Sequence, residues 1–215
     1  MNTQTKTIET FLGPGLNLRP ARWTDLNAVA QLIYDVCEAD GDTAVAVTSE
    51  ELRNEWQNSG FSLDTDAFLV ETADGRIVGF EEFNNQHGHV SLTTDGYVHP
   101  EFKGMGIGTS LLRVIEERAR REISLARPDL RVFLRSTLDR KDQEGNDLHK
   151  NEGYHPMRYH WRMEIVLNGP PAEPQWPEGV ELHPFIKGEH DIPVWQAQNE
   201  AFRDHWGSHD VTLEE

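Results

Sequence analysis

Three glycines at alternate positions come immediately before a long run of helix-forming residues. They are Gly104, Gly106 and Gly108, in the segment HPEFKGMGIGTSLLRVIEERARREI. No Ser, Thr, Asp or Asn stands where the first helical N–H groups would need a side-chain acceptor, so these groups are available to a ligand. Free N–H groups and the positive end of the helix dipole bind anions, and glycines let a phosphate approach the backbone. The spacing therefore predicts a phosphate-binding turn.

The element behind this turn is predicted to be an amphipathic helix. Its apolar residues recur at helical spacing, namely Leu111, Leu112, Ile115, Ala119 and Ile123. Arg127 and Pro128 mark its end, because proline cannot continue the hydrogen-bond ladder. The basic segment RARR, residues 118–121, is interleaved with acids and is predicted to be a solvated face.

Two common phosphate-binding patterns do not fit the glycines. The dinucleotide fingerprint needs glycine at places one, three and six, and counting from Gly104 puts Thr109 at the sixth place. A P-loop needs Gly-Lys-Ser/Thr, which is absent from this segment. A plain alternative is a glycine-rich turn that only leads into a core helix.

KGMGIG after YVHP resembles the acyl-CoA loop of the GNAT superfamily of N-acetyltransferases, whose pattern is Gln/Arg-x-x-Gly-x-Gly/Ala. Lys103, Gly106 and Gly108 occupy its three places, with lysine for the usual glutamine or arginine. The resemblance implies acetyl-CoA as co-substrate, held by the loop and by the backbone of the preceding strand. The residues concerned are Tyr97, Val98, Lys103, Gly104, Met105, Gly106, Ile107, Gly108 and Thr109.

The order of predicted elements is β-α-α-β-β-β-α-β-α-β, which matches the GNAT order over roughly residues 16–167. Thr24 is predicted to cap the first helix, Thr48 with Glu51 to form a capping box, and residues 73–75 to turn a hairpin. The last strand is predicted in YHWRMEIVL, residues 159–167. The expected fold class is α/β, with a GNAT-like mixed, mostly antiparallel sheet flanked by helices and a partial C-terminal strand-helix unit.

Amine attack on a thioester needs a general base and an acid for the departing thiolate. The family often uses a tyrosine four residues before a glycine of its short helix, and His149 stands at that place before Gly153. A histidine can exchange a proton near neutral pH, although a solvated helix histidine is the plain alternative. The base candidates are Asp95, Glu81 and Glu82; neighbours on a strand point to opposite faces, so only one of the two glutamates can serve.

Composition restricts the partners. The chain has 215 residues and a formal net charge of -17, which argues against nucleic acid and favours a cationic amine. Cys37 lies among apolar residues and is predicted to be a buried thiol. The histidines of HGH, residues 87–89, lack the ligand set of a metal site, so no metal is expected. The N-terminal segment lacks a signal-peptide core and no apolar run is long enough for a membrane span, so a cytoplasmic location is expected.

The predicted domains are residues 1–167, a proline-rich linker at 168–179, and the start of a truncated second GNAT domain at 180–215. In the last segment, Gly179, Leu182 and Pro184 repeat the spacing of Gly15, Leu18 and Pro20, and tandem proteins such as mycothiol synthases have this layout. The alternative is a C-terminal extension packed on one domain. An incomplete unit would expose aromatic side chains, so self-association through this segment is expected.

Two functional classes remain. The first is an acyl-CoA-dependent N-acyltransferase that transfers an acetyl group directly to a primary amine of a small molecule or a protein. The second is a non-catalytic CoA-binding or scaffolding domain of a tandem protein. The intact glycine loop fits both classes, and the replacement of the usual tyrosine by His149 favours the second.

Overall fold

The computed structural model describes residues 12–208 and 210–213 of the chain. Its contacts divide the chain into two compact units, with the division between Pro156 and Met157. Every strand found among the described residues lies in the first unit, as do the candidate site residues. The predicted domain boundary at Leu167 and the linker at 168–179 stay predictions. The N-terminal segment examined above for a signal sequence lies outside the described residues.

The first unit is built on a five-stranded sheet. The strands are β1 Leu16–Pro20, β2 Ala67–Thr72, β3 Ile77–His87, β4 Ser91–Val98 and β5 Phe133–Ser136. They lie in sequence order in the sheet; the first four are antiparallel, and β5 pairs with β4 in parallel. This mixed, mostly antiparallel sheet confirms the predicted fold class. The hairpin between β2 and β3 turns at residues 73–75 as predicted, with φ of 87° at Gly75.

Helices cover both faces of this sheet. They are α1 Leu26–Ala39, α2 Ser49–Trp56, α3 Leu63–Asp66, α4 Ile107–Glu122 and α5 Gln143–Asn151. On one face, α1 and α2 pack against the side chains of Ala67, Leu69 and Phe80. On the other face, α4 packs against Val70, Phe83 and Leu92. Cys37 is buried in the α1 layer, as predicted.

Two predicted helix starts have different outcomes. Thr48 caps α2, and the reciprocal bonds of the capping box with Glu51 are present, so this prediction is confirmed. The prediction that Thr24 caps α1 is wrong: Thr24 lies inside a 3-10 turn, Trp23–Asp25, and α1 begins after Asp25. The carboxylate of Asp25 instead accepts a bond from the N–H of Arg22 and pairs with Arg19 at 2.7 Å.

The predicted sixth strand does not form. Residues 159–167 belong to the second unit and have no regular structure, although apolar and polar residues alternate there. Trp161, Met163 and Ile165 are 79%, 91% and 79% exposed. Alternation supplies one apolar face, but a strand also needs a hydrogen-bonded neighbour, and none of the described strands pairs with this segment.

The second unit contains one regular element among its described residues, helix α6 Asp191–Phe202. The strand predicted to come before this helix in residues 180–215 is absent from the described residues, for the same reason as the sixth strand. The partial strand-helix unit is therefore represented by its helix alone. Among the described helices, none is both long and apolar enough to cross a membrane.

The RARR segment is only partly the solvated face predicted for it. Arg120 and Arg121 are exposed, but Arg118 keeps only 16% of its side chain exposed. Its guanidinium pairs with the buried Asp66 at 2.6 Å and with Glu122, and it lies 4.4 Å from the ring centre of Phe83. Helix periodicity turns this arginine toward α3 and the sheet, and the two carboxylates compensate its burial.

Candidate active site

The glycine turn leaves the start of α4 uncovered. Gly104 and Gly106 both have φ of 77°, a conformation that favours glycine. Gly106 is the N-cap of α4, and no side chain of the described residues forms a cap bond there. A Cβ on Gly108 would lie 2.9 Å from Cδ2 of Leu148 in α5. The first N–H groups of α4 are therefore open to an anion.

The other loop residues differ in what they can offer. Ile107 is 1% exposed and packs in the core, so it can contribute only its backbone. The carbonyl of Met105 accepts a 3.1 Å hydrogen bond from the N–H of Gly13. Nζ of Lys103 lies 3.3 Å from Oε2 of Glu144 at the start of α5, so this cation stands at the mouth of the turn.

The edge of β4 opens beside this turn. Pairing of β4 with β5 ends at Thr94 and Ser136, and the described strands offer no partner to Asp95–Val98 on that side. The side chains of Tyr97 and Val98 pack on opposite faces of the sheet, with the α1 cluster and the α4 cluster respectively. Their backbone groups are left at the open edge, which is where an extended ligand arm can bind as an added strand would.

His149 lies in the second half of α5, with its ring half-buried. Nδ1 donates to the carbonyl of Gly145 at 2.8 Å, and the ring meets that of Tyr154 edge-on at 5.1 Å. Nε2 is buried and has no hydrogen-bond partner among the described residues. Because a carbonyl only accepts, Nδ1 carries a proton, and Nε2 can donate one only when the ring is an imidazolium.

The three candidate bases fall on two faces of the sheet. Glu81 faces α4, where a Cβ on Gly96 would lie 3.0 Å from its Cδ. Glu82 faces α1 and α2 and lies opposite Asp95 in the β3–β4 ladder. The expectation that neighbouring glutamates point to opposite faces is confirmed.

Glu81 is held as a neutral acid. The residue is 5% exposed, and burial raises the pKa of its carboxyl group to about 8. Oγ1 of Thr94 lies 2.8 Å from Oε1 of Glu81 and 2.9 Å from the carbonyl of Glu82. A threonine has one proton, so both bonds form together only when Glu81 donates to Thr94. Glu81 is therefore poorly placed to accept a proton at neutral pH.

Glu82 and Asp95 are more accessible. Burial and the neighbouring Glu55 raise the pKa of Glu82 to about 7. Asp95 accepts a 2.8 Å bond from the hydroxyl of Tyr97; solvent reaches it along the open edge, yet surrounding protein raises its pKa. A carboxyl group with a pKa near neutrality is suited to general-base work.

Two functional candidates were missed in the sequence, Glu55 and Trp56 at the end of α2. Burial and the charges of Asp95 and Glu51 raise the pKa of Glu55, and Trp56 packs on Phe80 with ring centres 6.3 Å apart. Nothing in the local pattern distinguishes Glu55 from other helix-surface acids, because only the packing of α2 on the sheet brings it near β4.

The histidines of HGH do not form a metal site with other residues. His87 ends β3, and His89 has φ of 63° and pairs with the buried Glu122. Among the described residues, no group of three or more His, Cys, Asp or Glu side chains is arranged to hold a metal ion.

Comparison with known proteins shows which family this chain resembles. Residues 31–134 match the family model described as "Acetyltransferase (GNAT) family". A mycothiol acetyltransferase from Geodermatophilus obscurus is 31% identical over 196 residues, which cover 87% of this chain and 59% of that protein.

Two solved structures are similar. One is a GCN5-related N-acetyltransferase from Sphaerobacter thermophilus, with 33% identity and a TM-score of 0.78 over 94% of this chain and 62% of that one. The other is the acetyltransferase yncA from Salmonella typhimurium with its cofactor acetyl-CoA; at 20% identity and a TM-score of 0.51, covering 66% of this chain and 80% of that one, it shows the fold alone. The chain thus spans 59% of the mycothiol acetyltransferase and 62% of the Sphaerobacter protein.

Proposed function

Because this chain belongs to the GNAT family of acetyltransferases, we propose that it transfers an acetyl group from acetyl-CoA directly to a primary amine. The observation that carries the proposal is the uncapped glycine turn at α4 beside the unpaired edge of β4. The first offers N–H groups to a pyrophosphate, and the second offers backbone groups to a pantetheine arm.

Acetyl-CoA supplies a thioester with a thiolate leaving group. The turn at residues 104–108 binds the phosphates, with Lys103 released from Glu144 to contribute a positive charge. The backbone of Tyr97 and Val98 orients the arm so that the carbonyl lies at the opening between β4 and β5, where N–H donors stabilise charge that develops on its oxygen.

Glu82 is proposed as the general base. It is partly exposed and has a pKa of about 7, whereas Glu81 is neutral and buried. It takes the proton of the attacking amine, directly or through one water, as the N–C bond forms. Asp95 lies directly opposite Glu82 in the ladder, so a second carboxylate stands beside the protonated base.

His149 is proposed to protonate the thiolate as the C–S bond breaks. Its Nδ1 bond to Gly145 fixes the ring, and its unpartnered Nε2 carries the transferable proton in the imidazolium form. The products are then the N-acetylated amine and CoA with a free thiol, so protons and bonds balance.

The alternative is a CoA-binding domain without catalysis. The observation that favours it is the same histidine: a neutral His149 ring has no proton on Nε2, whereas the hydroxyl of a tyrosine always carries one at neutral pH. Acetyl-CoA binding without amine acetylation would support this alternative.

The test combines binding and turnover. Calorimetry of the full chain is expected to give a dissociation constant for acetyl-CoA in the micromolar range. Gly106→Glu is expected to abolish binding, because a carboxylate at the N-cap blocks and repels the phosphates. Gly60→Glu is the matched control, since Gly60 also has positive φ but lies between α2 and α3. Binding that survives Gly106→Glu unchanged would contradict the proposed phosphate site.

Turnover is followed as free thiol released from acetyl-CoA together with the mass of the acetylated amine. The two quantities are expected to rise in equal amounts with a panel of primary amines. Thiol release without acetylated amine would mean hydrolysis, and neither product in the presence of tight binding would leave the non-catalytic alternative.

A further inference from the structure

Three carboxylates meet on the α2 side of the sheet, and we call them the acid cluster: Glu55, Glu82 and Asp95. Glu82 and Asp95 are directly opposite in the β3–β4 ladder, which puts their Cβ atoms about 5 Å apart. Glu55 comes from the last turn of α2, whose Trp56 packs on Phe80, two residues before Glu82 on the same face of β3. Glu55 and Asp95 both raise the pKa of Glu82, and Asp95 also raises the pKa of Glu55.

Among the residues that the structure describes, no cation compensates the acid cluster. Its hydrogen bonds come from neutral donors, the amide of Asn84 to Glu82 at 3.1 Å and the hydroxyl of Tyr97 to Asp95 at 2.8 Å. No Lys, Arg or His of the described residues forms an ion pair with it. The other titratable groups that interact with the cluster are Tyr97, the Cys37 thiol, Glu51 and Glu81, and none of them adds positive charge.

This contrasts with other partly buried acids of the first unit. Glu71 pairs with Arg19 of β1, and Glu122 pairs with Arg118 within α4. Glu152, just after α5, pairs with Arg113 of α4. The chain therefore pairs its acids elsewhere and leaves three together at the open edge, where clustering of like charges is unfavourable unless a ligand neutralises them.

An independent feature lies under the cluster. Trp56 is 3% exposed, and its buried Nε1 has no hydrogen-bond partner among the described residues. The N–H is near enough to Glu82 to lower the pKa of that carboxyl, but does not form a bond with it, and Oε2 of Glu82 is also buried without a partner. A cation bound here would keep Glu82 ionised and so give the indole N–H a charged acceptor.

Charge counting separates two kinds of acceptor. A reacting amine must be neutral when it attacks, and its proton goes to one carboxylate, for which Glu82 is the proposed base. Two further carboxylates, Glu55 and Asp95, then remain with solvent access and no cation. A monoamine leaves them unpaired, whereas an acceptor with a second ammonium group neutralises them.

We propose that the acceptor is a dibasic amine, whose second ammonium group binds between Glu55 and Asp95 while its first amine meets Glu82. This inference rests on the proposed acetyl transfer and adds the class of acceptor. Linear diamines are the simplest members of that class, and monoamines of equal length lack only the second charge.

The kinetic test compares diaminobutane with butylamine in the full chain. The value of kcat/KM is expected to be at least about tenfold higher for the diamine, because one ion pair of about 1.4 kcal/mol changes a rate or binding constant tenfold. This exceeds the roughly twofold increase expected merely because the diamine has two reactive amines. Glu55→Gln is expected to reduce the diamine preference severalfold. Glu50→Gln, which removes an exposed acid from the first turn of the same helix, is expected to leave the preference unchanged.

A binding test does not depend on catalysis. Tetramethyl-diaminobutane carries two positive charges but cannot be acetylated on its tertiary amines. Calorimetry is expected to show that it binds to the full chain, and that Glu55→Gln weakens the binding while Glu50→Gln does not. Dimethylbutylamine, the singly charged match, is expected to bind far more weakly.

The outcomes separate this inference from the proposed function. Acetylation of butylamine as fast as diaminobutane, with no effect of Glu55→Gln, would overturn the dibasic acceptor and leave acetyl transfer in place. Absence of acetyl transfer with every amine would overturn the proposed function. The calorimetric comparison would still show whether the acid cluster binds a doubly charged amine. Equal binding of the two tertiary amines would overturn the inference in either case.

Discussion

At the scale of single residues, adjacent side chains of β3 have opposite electrostatic roles. Glu81 is buried beneath α4 and is satisfied as a neutral acid by Thr94, whereas Glu82 lies on the α1–α2 face beside other acids. Burial raises the pKa of both, but Glu82 alone of the two is partly exposed, and it is the one that we propose as the base. Position in the pleat therefore decides which of two identical side chains is a candidate base.

Glu81 makes stability depend on pH. Its folded pKa of about 8 is above its ordinary value of 4.5, so the folded state binds the proton more tightly than the unfolded state. The contribution of Glu81 to stability is therefore greatest at low pH and falls by up to about 1.4 kcal/mol per pH unit from pH 4.5 to 8. Glu81→Gln is expected to remove this contribution, while that of Glu82, whose pKa is also raised, remains. Urea unfolding of both proteins at pH 5, 6, 7 and 8 measures it; parallel pH profiles would show that Glu81 does not titrate in this range.

His149 gives a second prediction at this scale. His149→Phe keeps a ring against Tyr154 but removes the Nε2 proton donor. We expect kcat to fall by about a hundredfold, since general acids contribute on this order, while acetyl-CoA affinity stays near its original value. Steady-state kinetics and calorimetry measure the two quantities. Equal turnover of the variant and the original protein with an accepted amine would remove His149 from the mechanism.

At the scale of elements, the site depends on how closely α4 lies on the sheet. Gly79 of β3 is beneath the first turns of this helix, where a Cβ would be 2.4 Å from Cγ2 of Ile107 and 3.1 Å from Cδ1 of Leu111. Ile107 directly follows the N-cap glycine, so the contact that fixes the helix start also fixes the direction of its free N–H groups. Packing and the proposed anion binding are thus coupled at one point.

Gly79→Ala tests this coupling. The added methyl group must push α4 away from β3, and we expect a loss of roughly 1–3 kcal/mol in the free energy of unfolding together with weaker acetyl-CoA binding. Gly169→Ala is the control, because nothing lies within 4 Å of that position and its φ is not in the left-handed region. Chemical denaturation and calorimetry provide the measurements. Unchanged stability of the Gly79 variant would mean that α4 tolerates a larger spacing.

At the scale of the whole molecule, the two units differ in how they treat apolar residues. The first unit buries most of its large apolar side chains in layers on both faces of the sheet. In the second unit, Trp161, Met163, Ile165 and Phe202 are all more than half exposed. Contiguous exposed apolar surface promotes association, so self-association through this part of the chain remains our expectation.

Truncation tests this expectation. A chain ending at Leu167 is expected to bind acetyl-CoA as the full chain does and to associate less, and a chain ending at Pro156 to associate least, because it also loses the apolar residues of 159–167. Sedimentation velocity and calorimetry compare the three chains. Unfolding of the chain that ends at Leu167 would show that residues 168–215 belong to the core of the first domain, and the interpretation as the start of a second domain would then be wrong.

The sequence by itself determined the local features: the capping box at Thr48, the hairpin at residues 73–75, and the uncapped glycine turn before α4. Each depends on residues close together in the chain, whose conformational preferences act before any packing. The tertiary structure decided what depends on distant neighbours. It left 159–167 without a strand partner, buried Arg118 against Asp66, made Glu81 neutral, and brought Glu55 to Glu82 and Asp95. Pairing, burial and charge coupling act through space, so they follow only from the packing of the elements.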